Sequence, residues 1–285
     1  MTIDHLITVA LAVTLAPILG ALVTGIDRRL TARMQGRFGP PILQPIYDVL
    51  KLLRKDGIGV NRIQIIYVCL HLAFIVLVVV LLALGQDMLM ILFAYAFSTI
   101  ALILGGLSVR SPYSRIGSHR KIIQMLAYEP ILVIMVIGIY LVEGSFSAGS
   151  VMASDQPLLL SLPLVFITFI VAAAIKFGKS PFDIATSHHG HQEIVKGITI
   201  EYAGPYLALI EVAHFYEVAV ICTVIAMFWA TNLYIGAALA AVCVLALVVV
   251  DNLFARLTPM WMLRFMWTVP LALASSNVLW LYLPH

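Results

Sequence analysis

Residues 180–217 read SPFDIATSHHGHQEIVKGITIEYAGPYLALIEVAHFYE, from Ser180 to Glu217. The second half has the composition of a membrane helix, yet Glu201, Glu211 and Glu217 fall within it. A carboxylate at bilayer depth costs about 2.5–3.5 kcal/mol on the most lenient insertion scale, so such a group is expected to face protein or water and to have a task. Five of the acids and four of the histidines of the chain lie in this one stretch, and the remainder has the character of a housing for them.

The housing is apolar. Mean hydropathy is +1.04, 62% of residues are hydrophobic and 11% are charged. A water-soluble domain could not cover that much apolar surface, so the composition predicts an all-α integral membrane protein, a single polytopic domain over 1–285. The run from His5 to Gly25 is longer than the apolar core of a signal peptide and lacks a basic leader, so it is expected to be a retained first span.

About eight runs reach spanning length: 4–26, 63–84, 87–109, 119–142, 158–178, 201–230, 232–254 and 262–282. With the helix ends that border them, the loops 27–62, 110–118, 179–200 and 255–261 collect all 17 Lys and Arg residues. The opposite side carries Asp4, Asp87, Glu143 and Asp155. The positive-inside rule then predicts a multi-pass protein of a prokaryotic cytoplasmic membrane with both termini outside. The net charge of +3 reflects this basic rim and gives no reason to expect a nucleic-acid partner.

Within 27–62, GPPILQPIYDVLKLLRK places Pro at a helix start, then Ile46, Val49, Leu50 and Leu53 among Lys51, Arg54 and Lys55. That pattern predicts a cytoplasmic amphipathic helix on the inner surface, serving either as an anchor or as a docking element. Cys69, Cys222 and Cys243 are isolated within apolar runs and have the character of packing residues. No thiolate cluster, phosphate loop or nucleophile elbow is present, so no metal or cofactor is expected in this chain and any redox centre belongs to a partner.

On one helix Glu201, Glu211 and Glu217 would be separated by about 15 Å and then about 9 Å. His214 lies about 60° round from Glu211, with Glu217 a further 60° on. Neither gap is a single proton hop, so other helices must contribute. Glu129 is one candidate, because Pro130 leaves the carbonyl of Leu126 open to water or a side chain. Asp251 is another. The competing reading is that the acids merely pair with cations. No Lys or Arg occurs between Ile200 and Asp251, although Glu201 and Asp251 could be solvated at helix ends. His188, His189 and His191 with Glu193 fit no zinc spacing and are expected to be surface residues or proton buffers.

Five segments, in order, carry a resemblance: RMQGRFGPPILQPIYDVLKLLRKD, RKIIQMLAYE, SPFDIA, QEIVKGITIEYAG and ARLTPMWMLRFMW. The chain resembles the membrane component that joins the peripheral arm to the ion-pumping arm in respiratory complex I and in membrane-bound hydrogenases. Gly178-Lys179-Ser180 before Pro181, and TSHHGHQE after Asp183, are most similar to the energy-converting, Ech-type [NiFe] hydrogenases. Quinone-reducing members have an Arg and an acidic stretch at those places.

That resemblance implies a function. The chain is expected to be a non-catalytic subunit that anchors a soluble redox arm and couples ferredoxin-linked proton reduction, or H2 oxidation, to H+ or Na+ transport. Implied partners are the [NiFe] large and small subunits, a ferredoxin-like iron–sulfur subunit, an antiporter-like membrane subunit and the lipid bilayer. The [NiFe] centre and iron–sulfur clusters reside in those partners. Glu129, Asp183, Glu193 and Glu201 correspond to family charge-path residues; Glu211, Glu217, Asp251 and His214 extend the path. Arg37, Lys179, His188, His189 and His191 would meet the arm. A quinone- or methanophenazine-linked complex, or a formate- or CO-linked hydrogenase, remains open. So does a free-standing cation antiporter, against which stands the lack of inverted repeats with broken helices.

Overall fold

Inside a bilayer each backbone amide must be satisfied within its own segment, so apolar runs of this length become helices. The computed structural model describes residues 3–57, 61–182 and 197–283. In order they form α1 (Ile3–Met34), α2 (Gln44–Leu53), α3 (Arg62–Ala83), α4 (Met88–Leu107), α5 (Pro112–Glu143), α6 (Ala148–Met152), α7 (Leu158–Ser161) and α8 (Pro163–Lys176). A 3₁₀ turn (Gly197–Thr199), α9 (Pro205–Met227), α10 (Leu233–Leu253) and α11 (Pro259–Tyr282) follow. The protein is an all-α integral membrane protein. Among the described residues six helices (α1, α3, α4, α5, α9 and α10) are long and apolar enough to cross a bilayer. The apolar but 14-residue α8 and the 24-residue α11 occupy the other two expected positions.

Helix starts follow from local chemistry. Asn61, Asp87 and Asn232 accept hydrogen bonds from the first amides of α3, α4 and α10. Proline stands in the first turn of α2, α5, α8, α9 and α11, where its missing N–H is no loss. The principal packings are α3 on α4, α5 on α11, α1 on α9 and α9 on α3. Between them lies a core that includes Ile75, Val78, Ile131, Leu162, Val165 and Ile225. Helix α1 approaches α9 at Gly20, where a Cβ would overlap the carbonyl of Phe215. In lipid, where no hydrophobic force drives helices together, such small residues permit the close contact that does.

Three expected boundaries shift. Helix α1 runs to Met34, beyond the bilayer stretch, because nothing in residues 27–34 stops it until Gly36 turns left-handed at φ 69°. Helix α9 begins at Pro205, so Glu201 is not in its first turn. Gly204 (φ 54°, ψ −128°) makes the corner, against the carbonyl of Asp56. The span expected over 158–178 is broken at Leu162, between α7 and α8. The break survives because Asn277 of α11 satisfies it. Its Oδ1 accepts from Leu164 N (3.0 Å) and Val165 N (3.3 Å), and its Nδ2 donates to Ser161 O (3.2 Å). The expectation of one continuous span over 158–178 is therefore corrected.

The amphipathic α2 is found where expected. Val49 and Pro45 face inward, Val49 in a cluster with Ala21, Ala208 and Phe215, while Tyr47, Leu50 and Leu53 are half exposed. Arg28 of α1 pairs with Asp48 of α2 at 2.8 Å.

Candidate charge-transfer site

The buried charge of the bundle centres on Lys176, the last residue of α8. Its side chain is 3% exposed and Glu217 on α9 is 10% exposed. The Lys176 Nζ lies 3.9 Å from Glu217 Oε1 and donates to Thr99 Oγ1 of α4 at 3.0 Å. It also stands over the rings of Tyr95 (3.8 Å) and Tyr128 (4.5 Å). Aromatic faces and a hydroxyl thus replace part of the hydration that an ammonium loses on burial.

Glu217 Oε2 faces His214 Nδ1, one turn earlier on α9, at 3.8 Å. Glu129 is half-buried, adjacent in sequence to Tyr128 whose ring lies under the Lys176 ammonium. Glu129 Oε2 and the hydroxyls of Tyr95 and Tyr128 are buried without a hydrogen-bond partner among the described residues. Such orphaned atoms fit ordered water, since buried polar atoms in native proteins are almost always bonded. Deeper in α3, His71 Nδ1 lies 2.9 Å from Ser98 O and 2.8 Å from Ser98 Oγ, tying α3 to α4.

The proline expectation holds in detail. Leu126 O, freed by Pro130, accepts the indole N–H of Trp267 at 2.9 Å. Pro17 in α1 does the same to Val13 O, which accepts from the Tyr216 hydroxyl at 2.8 Å.

A second cluster lies at the basic end. Lys179 Nζ donates to both Asp27 oxygens (2.6 and 2.5 Å) and to Asp251 Oδ2 (3.1 Å). The amide of Ser180 donates to Asp251 Oδ1 at 2.8 Å. Lys179, expected at an outer interface, is thus committed to an inner ion pair.

Of the residues expected to relay charge, the structure sets Glu217 beside Lys176 and His214 beside Glu217, and joins Asp251 to Lys179. Glu211 is half-buried on α9, six residues before Glu217. Glu201 is half-buried in the turn before α9. Asp183, His188, His189, His191 and Glu193 lie outside the described residues. Arg37 is exposed beyond α1, donating to Gln35 Oε1, beside Phe38, which is 92% exposed.

Sequence reasoning missed Lys176, Thr99, Tyr95, Tyr128, Asp27 and His71. Lys176 ends an apolar run and so reads as part of the basic rim. The available signal was Glu217 itself, an acid with no cation in its own helix, which required one from elsewhere.

Residues 6–282 match the family model described as NADH dehydrogenase. This chain belongs to that family. Among its curated relatives, a subunit of the NADH-quinone oxidoreductase of Bacillus cereus (strain B4264) is 29% identical over 297 residues, covering 92% of this chain and 88% of that protein. The same values hold for the corresponding subunit of Bacillus thuringiensis (strain Al Hakam). Among solved structures, a chain of the membrane-bound sulfane sulfur reductase, an archaeal respiratory membrane complex, matches with TM-score 0.86 at 23% identity. The match covers 98% of this chain and all of that one, so the two share the fold. The chain is a complex I-like, multi-pass membrane subunit of a respiratory complex.

Proposed function

We propose that this member of the NADH dehydrogenase family serves in an energy-converting [NiFe] hydrogenase complex. It anchors the soluble redox arm and couples ferredoxin-linked proton reduction, or H2 oxidation, to movement of H+ or Na+. The observation that carries the coupling reading is the Lys176–Glu217 pair, buried in the bundle with Glu129 and His214 at its edges. A passive anchor has no use for charges that cost several kcal/mol each to bury. The hydrogenase branch rests on sequence, GKSPFD followed by IATSHHGHQE, in place of the Arg and acidic stretch of quinone-reducing members.

In this reading a change of charge in the arm alters the field on Glu201, at the mouth of α9. Glu211 and then the Glu217–Lys176 pair respond, with water completing the links between them. The orphaned oxygens of Glu129, Tyr95 and Tyr128 mark where that water would sit.

A second reading, a sulfur-reducing complex, is favoured by the fold shared with the archaeal sulfane sulfur reductase. Purification of the native complex separates the two: the hydrogenase reading expects nickel beside iron and H2 formation from reduced ferredoxin. Iron without nickel, with sulfide produced from polysulfide, would replace it with the second. For coupling, Glu201→Gln and Glu211→Gln are expected to lower ions moved per electron at least several-fold in complexes that still assemble. Normal pumping by both variants removes these acids from the path.

A further inference from the structure

Between α1, α9 and α10, beside the turn that follows α8, lies a cavity of ≈ 30 Å³. Three titratable residues line it: Asp27, Lys179 and His214. Thr24 adds a hydroxyl whose proton is spent on Gly20 O (2.8 Å), leaving its lone pairs to accept. The other walls are apolar, among them Phe177, Val218 and Leu247. A polar cavity needs about 10–15 Å³ and two to four partners to hold a water. This one meets both conditions, with room for one or two.

We propose that this cavity is a proton passage linking the Asp27–Lys179–Asp251 cluster to His214 and through it to the Glu217–Lys176 pair. It runs along the α1–α10 side of the bundle. The inference rests on the coupling reading above and adds to it an entrance, a carrier and the carried species.

At the outer end Asp27 and Asp251 are 18% and 21% exposed, open enough to exchange protons with solvent at the basic rim. At the inner end His214 Nδ1 stands 3.8 Å from Glu217 Oε2. A side-chain adjustment of about 0.6 Å brings that pair within hydrogen-bond range. Imidazole suits the intermediate place, because one ring nitrogen can accept while the other donates near neutral pH. A cavity water gives a proton to His214 Nε2 and recovers one from the Asp27 side. The imidazolium then gives its Nδ1 proton to Glu217 Oε2. One proton enters the ring as one leaves it: N–H and O–H bonds are exchanged, and no bond between heavy atoms changes. The charged groups bearing on His214 are Asp27 from α1, Lys179 from the turn after α8, Asp251 from α10, and Glu211 and Glu217 from its own helix. Lys176 lies behind Glu217, so a proton arriving there releases the ammonium from its counter-charge.

The test uses the whole native complex. Val218→Phe fills the cavity while leaving every charged group in place, and Thr24→Val removes a water partner with little change of shape. Deuterium exchange at the C2 position of His214, read by mass spectrometry, reports water at the ring independently of turnover. Wild type is expected to exchange at a rate within about ten-fold of a solvated histidine. Val218→Phe should slow it at least ten-fold, and Thr24→Val by a smaller factor. In proteoliposomes with a pH-sensitive dye and an artificial low-potential donor, Val218→Phe and His214→Asn should lower protons moved per electron at least five-fold. A His214 ring that does not exchange in wild type overturns the passage. So does exchange slowed by Val218→Phe with pumping unchanged. Normal pumping by Glu217→Gln would instead overturn the coupling reading on which the passage depends.

Discussion

Lys176 and Glu217 hold each other at a depth that neither would tolerate alone. Removing one member of a buried pair strands the other, at about 3–5 kcal/mol, whereas removing both charges is often nearly neutral. Lys176→Met is therefore expected to lower the heat-inactivation midpoint of the purified complex markedly. The Lys176→Met/Glu217→Gln double variant should lose less than Lys176→Met alone; equal or greater loss would mean that the two are not coupled. Glu217, His214 and Glu129 were legible in the sequence because polar groups in apolar helices stand out against their surroundings. Lys176 was not. Whether a lysine at a helix end reaches outward to water or turns inward is decided by what waits on the other helices, here Thr99, Tyr95, Tyr128 and a carboxylate 41 positions later in the chain.

At the scale of the helix, two prolines and one glycine set how α1 and α5 meet their neighbours. The open carbonyl beside Pro130 was legible, since proline removes the amide that would have filled it. Its partner, Trp267, was not, because only packing against α11 brings the indole there. The break at Leu162 left a signal in Pro157 and Pro163, which bracket a single turn, but proline within apolar runs is common enough in membrane helices to mislead. Gly20→Leu is expected to force α1 away from Phe215, at about 1–3 kcal/mol by analogy with overpacked cores. Tyr216→Phe, which removes only the hydrogen bond to Val13 O, should cost about 1 kcal/mol. Thermal unfolding in one detergent should rank Gly20→Leu as the more damaging; the reverse order would place the weight of the α1–α9 contact on the hydroxyl.

For the molecule as a whole, the separation of basic and acidic ends predicts an orientation. A cysteine at Ser154 should react with a membrane-impermeant label from outside sealed cells, and one at Ser187 should not; labelling at Ser187 would invert or break the eight-span arrangement. Docking of the soluble arm has a cleaner probe than the sequence offered. Lys179 is bound between Asp27 and Asp251, so its reversal to Glu would disturb the bundle itself. Arg37 is exposed beside Phe38, and Arg37→Glu is expected to release the arm at lower salt while the membrane subunit keeps its melting behaviour. Retention at the wild-type salt concentration would move the contact elsewhere.

The side chain that closes the gap between α7 and α8 sits on the final helix of the bundle, more than a hundred residues further along the chain. During synthesis the amides of Leu164 and Val165 can gain the partner they have in the folded protein only after Asn277 has been made. A nascent chain stopped after α10 is expected to leave residues 158–176 open to protease or to membrane quality control, and the same chain extended through Tyr282 to protect them. Biogenesis, read this way, is timed by the carboxyl-terminal segment, and a late truncation would be felt first in the centre of the fold.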